Sequence, residues 1–481
     1  MSRRAVIVGA GLGGLSAAVA LASAGWSVLV LERGKAPGGK AGTATVDGVV
    51  FDTGPSVLTL PDALDAVLRR AGSRLEDHVR LRTHDPSFRY LWPDGARVDV
   101  HPTEEATLES VAGSLGPEAA GELRRFLAYA AGVWAAAAPR FVLGPAPGLG
   151  SLMSPAAILA VTRIDGLRTM RAAIHAQVRS PHLRDLLARY ATYNGSDPRR
   201  TPATLNCIAH VELGLGGFGV EGGIGALVEA FVAVALAAGV TLRLDATVDA
   251  LEIERGRVNA VRIGTERVPA DVVIANAEFA HVLNDLLPPG TPHGVPADGE
   301  PSTSGWNGLT AAPDDPSRAA HTVLFPPRYE QEFVDLFDRR RPPDEPTVYL
   351  CDQSRAHGRA GWPDGRVPLF AMTNAPAGWN GPSGPLRERA EERMRAHGFT
   401  APTWVWERAP RDLAARFPGS GGALYGLASN SVLAAFRRPA NRARGVRGLY
   451  FASGSAHPGG GLPLCARSGL AAADAVLEDA R

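Results

Sequence analysis

Ala5-Val6-Ile7-Val8-Gly9-Ala10-Gly11-Leu12-Gly13-Gly14 decides how the chain is read. An alanine-rich segment follows, then Val28-Leu29-Val30-Leu31-Glu32-Arg33. The order is apolar strand, glycine turn, helix, strand, acid. Gly9 permits the tight turn, Gly11 lets the backbone approach a pyrophosphate, and Gly14 lets the helix pack closely on the sheet. The helix N-terminus then offers unpaired N–H groups and a positive dipole end to phosphates. Glu32 stands about 20 residues on, where a carboxylate can accept hydrogen bonds from a ribose diol. The pattern predicts a dinucleotide-binding α/β unit. Arg3-Arg4 before the uncharged run Ala5–Ala24 imitates a secretory leader. Glycines crowd that run, and a strand ending in Glu32 follows it, so the leader reading is rejected.

The next segment narrows the dinucleotide. Ala36-Pro37-Gly38-Gly39-Lys40-Ala41 follows Glu32-Arg33, and Asp52-Thr53-Gly54-Pro55 comes soon after. A plain nicotinamide fold would start another βαβ unit here. The chain has two lysines, Lys35 and Lys40, both in this loop. Lys40 is the candidate cation facing the cofactor.

At 481 residues the chain exceeds what one core usually organises, so two domains are expected. It is 45% hydrophobic and 21% charged, as in globular proteins, and 50 Lys+Arg nearly cancel 49 Asp+Glu. No polybasic run is present, which excludes nucleic acid as a partner. Cys207, Cys351 and Cys465 stand alone, which argues against a disulfide framework, a zinc site or a redox dithiol and fits a reducing cytosol. No clean apolar run of membrane-spanning length is seen.

Periodicity predicts a helix over 61–80 and a hairpin over 88–100 around Pro93-Asp94-Gly95. Residues 103–192 read as helical. Within them Phe126–Ala138 carries no charge, and apolar residues continue to Val161. That region reads as core or as a surface helix dipping into one leaflet. Residues 218–253 repeat the glycine-turn, helix and strand pattern, followed by a strand pair at 250–253 and 258–263. Residues 268–277 read as a buried parallel strand, 281–300 as a loop, and 302–374 as mixed strands and helices. Residues 410–417 read as a helix and 448–454 as a strand. A loop then runs from Ser455 to Cys465 and a helix from Ala466 to Leu477. The first domain is therefore discontinuous, with the second inserted in pieces.

Taken together, these motifs resemble the phytoene desaturase family of carotenoid desaturases. The resemblance rests on Val8–Leu15, Pro37–Ala41, Asp52–Leu58, Ala191–Pro198, Pro202–Asn206, Glu221–Gly223 and, above all, His457-Pro458-Gly459-Gly460-Gly461-Leu462-Pro463. The Tyr193-Asn194-Gly195 and His457–Cys465 wording is similar to 1-hydroxycarotenoid 3,4-desaturases and to some bacterial phytoene desaturases. Gly426–Asn430 and Trp306-Asn307-Gly308 depart from the family pattern.

The resemblance implies an α/β fold: an FAD-binding Rossmann-like domain (1–85, 205–280, 425–481) and an inserted α+β substrate domain (86–204, 281–424). A membrane-contacting region falls near 126–161. It implies an FAD-dependent oxidoreductase that places double bonds in a carotenoid during carotenoid biosynthesis. The implied cofactor residues are Gly9, Gly11, Gly14, Glu32, Arg33, Gly39, Lys40, Gly54, Pro55, Val248, Gly454, His457, Pro458, Gly461, Leu462 and Pro463. It further implies a peripheral place on the cytoplasmic side of the inner membrane, with oxygen or quinone as electron acceptor. No metal is called for. No general base is identified; His210, Glu212, His321 and His457 are the polar candidates, and Trp306 and Phe325 are expected tunnel walls. Two other readings stay open: an amine- or porphyrinogen-oxidase-like flavoenzyme, and a non-catalytic prenyl-binding escort protein of the same fold.

Overall fold

Strand β1 (Arg4–Val8) is apolar on both faces, as a strand covered from two sides must be. It pairs in parallel with Val272–Ala275 on one side and with β2 (Ser27–Leu31) on the other. Leu449–Phe451 and Thr241–Arg243 complete a five-stranded parallel sheet. Ala5 and Ile7 face one core with helices α1 (Leu12–Ser23), Ile224–Ala237 and Leu462–Asp479. Val6 and Val8 face the opposite core, which a three-stranded antiparallel sheet covers. The computed structural model describes residues 3–144, 163–292, 299–400, 402–431, 434 and 438–481.

A second sheet has seven strands. Their order is Trp404–Arg408, Ser304–Pro313, Arg366–Ala375, Val348–Asp352, His321–Leu324, Phe88–Leu91 and Arg97–Val100. Its pairs are antiparallel except His321–Leu324 with Phe88–Leu91. One face packs Trp306, Val348, Leu350, Leu369 and Ala371 against helix Gly384–Ala396. The helices Glu104–Leu115, Pro117–Ala137, Met170–Gln177 and Pro181–Ala188 build a further core with Phe88, Tyr90, Val98 and Val323.

The expected helix at 61–80 is shorter. It runs Pro61–Leu68, passes into a 3₁₀ turn and stops at Gly72, whose φ of +71° only glycine adopts readily. Strand Glu266–Pro269 joins the expected pair as a third. Residues 281–300 begin not as loop but within a helical turn, Phe279–His281 and Val282–Leu286, because Val282 and Leu286 are buried. The last helix starts at Leu462 rather than Ala466. Leu462 and Pro463 are buried in its first turn, and proline is well placed there because its missing N–H would have no helical partner. Phe126, Leu127 and Ala130 belong to the helical core and Val133 is buried beside them, so the described part of the charge-free stretch is a wall of the fold. Its continuation over 145–161 lies outside the described residues.

Asp52 ties the two halves together. Its carboxylate accepts the backbone N–H of Ile224 and Gly225, each at 2.9 Å, and so caps helix Ile224–Ala237 from another segment. Arg359 donates to the same group at 2.9 Å. Asp52→Ala is expected to destabilise the protein by about 1–2 kcal/mol, as a lost N-cap does. The thermal midpoint should fall measurably, and Asp52→Asn, which keeps one acceptor, should lose less.

Candidate functional site

The carboxyl ends of the parallel strands gather in one place, as open α/β sheets require of their binding crevice. Gly9 follows β1, Glu32 follows β2, Asn276 follows Val272–Ala275, and Gly454 follows Leu449–Phe451. These residues line a cavity of about 1320 Å³. Gly9 turns the chain with φ +99°, and a Cβ there would sit 2.6 Å from the Asn276 carbonyl oxygen. A Cβ on Gly11 would meet the Asn276 Oδ1 at 2.6 Å. At Gly14 it would overlap the Gly9 carbonyl oxygen, so this glycine sets the spacing of α1 from the turn and does not itself line the cavity. Every other residue of the cofactor set named from the sequence does line it.

Glu32 has two jobs in the protein itself. Its Oε2 accepts the Ala10 N–H and its Oε1 the Gly34 N–H, both at 2.8 Å. Each oxygen keeps a lone pair that a ribose diol can use. Lys40 is a strut. Its ammonium donates to Glu278 Oε1 at 2.6 Å and to the carbonyls of Ala423 and Leu424 at 3.0 and 2.9 Å. Its charge is therefore matched by Glu278 at the cavity wall. Arg33 donates to the Ala415 carbonyl at 3.2 Å. Gly54 passes so close to the Lys40 carbonyl that no side chain fits there. His457 is buried and donates from Nε2 to the Gly144 carbonyl at 3.0 Å. Burial pushes its pKa down, which favours the neutral ring in that role.

The cavity continues from this glycine cradle into an apolar channel. Trp134, Ala137, Val142, Ile164, Leu205 and Ile208 wall it. The seven-stranded sheet supplies the floor with Thr347, Tyr349, Phe370, Met372, Asn374 and Asn307. Trp306 and Phe325 are not tunnel walls. Side chains alternate across a strand, so Asn307 faces the cavity and Trp306 faces the opposite core, edge to Trp404. Phe325 stacks on Trp92 at 4.9 Å inside the helical core. Of the polar candidates, Glu212 and His457 line the cavity, while His210 and His321 do not. His321 is buried against the hydroxyl of Tyr349, with its pKa lowered well below the usual value by burial.

Three wall residues escaped the sequence reading. Asn276 packs on the glycine turn and donates to the Ala452 carbonyl. Arg438 donates to the carbonyls of Gly454, Leu427 and Tyr425 and so holds the loops around the tail glycines. Arg189 lies in the apolar channel region. Asn276 had one available signal: it directly follows a strand parallel to β1. Arg189 and Arg438 had none, since each stands among many surface arginines in the sequence.

The glycine cradle fits a dinucleotide, because Gly9, Gly11 and Gly54 line the cavity beside the start of α1, whose first turn no side chain caps, so its N–H groups are left for an anion. Residues 12–300 match the model of the flavin containing amine oxidoreductase family. The hydroxyneurosporene desaturase of Rhodobacter capsulatus is 35% identical, the match covering 98% of this chain and 97% of that protein. The carotenoid 3,4-desaturase of Haloarcula japonica is 30% identical, covering 98% of each. Among solved structures, cyclohexylamine oxidase from Brevibacterium oxydans superposes with a TM-score of 0.64 over the full length of both chains at 17% identity, a likeness of fold. The chain therefore belongs to the flavin containing amine oxidoreductases and, within them, to the FAD-dependent carotenoid desaturases.

Proposed function

We propose that the chain introduces a double bond at the 3,4 position of an open-chain carotenoid bearing a hydroxyl at C1. One observation carries this reading. A single cavity joins the glycine cradle to a channel walled by hydrocarbon side chains, so a long apolar chain can lie end-on to a bound flavin. The relatives' names add the substrate class, since one is a hydroxyneurosporene desaturase and another a carotenoid 3,4-desaturase.

FAD, when bound, supplies a hydride acceptor next to the polyene, while a proton leaves the neighbouring carbon. The chain's own part is to bind, orient and exclude water. Gly9, Gly11 and the N-terminus of α1 would hold the pyrophosphate, and Glu32 the ribose. Gly39, Lys40, Gly54, Pro55 and Val248 would border the cofactor from one side. Gly454, His457, Pro458, Gly461, Leu462 and Pro463 would close it from the other. Trp134, Ile164 and Ile208 keep water from the channel.

The channel wall also touches the surface. Val142 and Ile164 line the cavity, while Leu143 and Leu167 nearby are 45% and 74% exposed. Exposed leucines beside a lipid-soluble substrate's channel support loading from the cytoplasmic face of the inner membrane. No helix among the described residues is long and apolar enough to cross a bilayer. Electrons pass on to oxygen or a quinone, which anaerobic turnover with and without added quinone distinguishes.

Pigment analysis tests the reading. The chain is expressed in cells accumulating phytoene, neurosporene or a 1-hydroxycarotenoid, and the extracts are compared. Absorption should shift to longer wavelength in the third strain. Unchanged pigment in all three, or a product from phytoene alone, would overturn it. Hydrogen peroxide release with simple amines would point instead to amine oxidation.

A further inference from the structure

A charged network sits in the wall of the apolar channel. Helix Pro181–Ala188 continues as a 3₁₀ turn over Arg189–Asn194 and ends at Gly195, whose φ is +59°. In a 3₁₀ turn residues three apart stand above one another. Tyr190 and Tyr193 are such a pair, with rings 5.4 Å apart, and both point at Glu212 on helix Cys207–Leu213. The Tyr190 hydroxyl donates to Glu212 Oε1 at 2.9 Å, and the Tyr193 hydroxyl to Oε2 at 2.5 Å. Arg189 donates from Nη1 to the hydroxyls of Tyr193 and Tyr90, each at 3.2 Å. Its guanidinium lies over the rings of Tyr193, Tyr90, Phe88 and Tyr349 at 4.9, 5.6, 5.9 and 5.9 Å. Arg189 and Glu212 are 5% and 4% exposed.

The network is out of place if its neighbour is only hydrocarbon. Arg189, Tyr193 and Glu212 all line the cavity. Burial pushes the Glu212 carboxyl up, and Arg189 and the hydroxyls of Tyr193, Tyr190 and Tyr90 work against that. A hydrocarbon lying against these groups would strip water from them without replacing its hydrogen bonds, which is unfavourable. A hydroxyl would satisfy both ends. Each Glu212 oxygen has accepted one bond and can accept another, while arginine offers only donors. An O–H can therefore donate to Glu212 and accept from Arg189.

Resting on the hydroxycarotenoid reading above, we infer that the Arg189–Tyr193–Glu212 network receives the end-group hydroxyl of the carotenoid and thereby fixes which bond meets the flavin. Tyr193 is the positioning residue: it accepts from Arg189, donates to Glu212 and holds the pair in register. Thr347 and Asn374 on the sheet floor face the same cavity. A site built to bond a hydroxyl discriminates strongly against the analogue without it, because its polar groups are then left unpaired.

The test uses FAD-loaded full-length protein with 1-hydroxyneurosporene and neurosporene as paired probes. Wild type should favour the hydroxylated probe in kcat/KM by about tenfold or more. Tyr193→Phe keeps the ring and loses the hydroxyl. It should cut that ratio about tenfold, mainly through KM for the hydroxylated probe, with flavin content retained. Glu212→Gln should act in the same direction; if it fails to fold, Tyr193→Phe alone carries the test. Variants that keep the wild-type ratio, or lose rate on both probes in step, would overturn the assignment while leaving the hydroxycarotenoid reading intact. A wild type indifferent to the hydroxyl would overturn that reading and the assignment with it.

Discussion

Gly14→Val is expected to yield protein without bound flavin. A Cβ at this position would overlap the Gly9 carbonyl oxygen and lie 3.0 Å from the Asn276 Cβ. The Gly9 oxygen is backbone in the turn itself and has no rotamer to escape into. The helix must therefore move off the turn, and with it the N–H groups that would hold a pyrophosphate. Overpacking of this kind destabilises by about 1–3 kcal/mol even in an ordinary core. Here the displaced element is the cofactor cradle, so the stabilisation that bound flavin gives the folded state is lost as well. The visible flavin absorbance of the purified variant should be absent or nearly so after dialysis. Restored binding with excess FAD and unchanged affinity would show that the turn tolerates the side chain.

Glu32→Ala should weaken flavin binding by roughly ten- to a hundredfold before it alters which carotenoid is used. The substitution removes the acceptor of the Ala10 and Gly34 N–H groups, and with it the acceptors that Glu32 would offer a ribose. Hydrogen bonds to a charged partner contribute about 1.5–3 kcal/mol each, and every 1.4 kcal/mol is a factor of ten in affinity. Titrating the apoprotein with FAD by fluorescence quenching measures the change. Glu32→Gln keeps one acceptor and should fall between wild type and Glu32→Ala. Tight flavin binding with altered substrate choice would contradict the assignment.

The parallel sheet was legible because its strands are short apolar runs whose neighbours are glycine turns and an acid. Strand and hairpin at 88–100 were legible for the same local reason: alternation around Pro93-Asp94-Gly95. Strand Ser304–Pro313 was not, because nine of its ten residues, from Ser304 to Ala312, are buried, so no polar alternation marks it. That same burial misled the reading of Trp306. A large aromatic on a two-sided strand can face either core, and only register with Arg366–Ala375 decides which. The helix ends shifted where a glycine with positive φ or a first-turn proline outweighed periodicity. In the site, the glycine cradle and Glu32 could be read because spacing along the chain carries their geometry. The Arg189 network could not. Its members come from residues 189–193 and 212, and from rings on two strands, and only packing brings them together. Lys40 was read as a free cation facing the cofactor, because its partner Glu278 lies 238 positions away in sequence and only the fold brings the two together.

The first and last described helices meet backbone to backbone. Gly469 of Leu462–Asp479 lies so close to the Gly13 carbonyl that any side chain there would overlap it. Gly13 belongs to the turn at the start of α1, and Leu449–Phe451 supplies an edge strand of the parallel sheet. The cradle is thus encoded by residues 9–14 but is finished only by residues 449–479. Local folding of residues 9–14 therefore cannot complete the cradle by itself: strand Leu449–Phe451 and the helix packed on Gly13 have to be in place as well. A chain cut short before residue 449 is then expected to accumulate as colourless apoprotein.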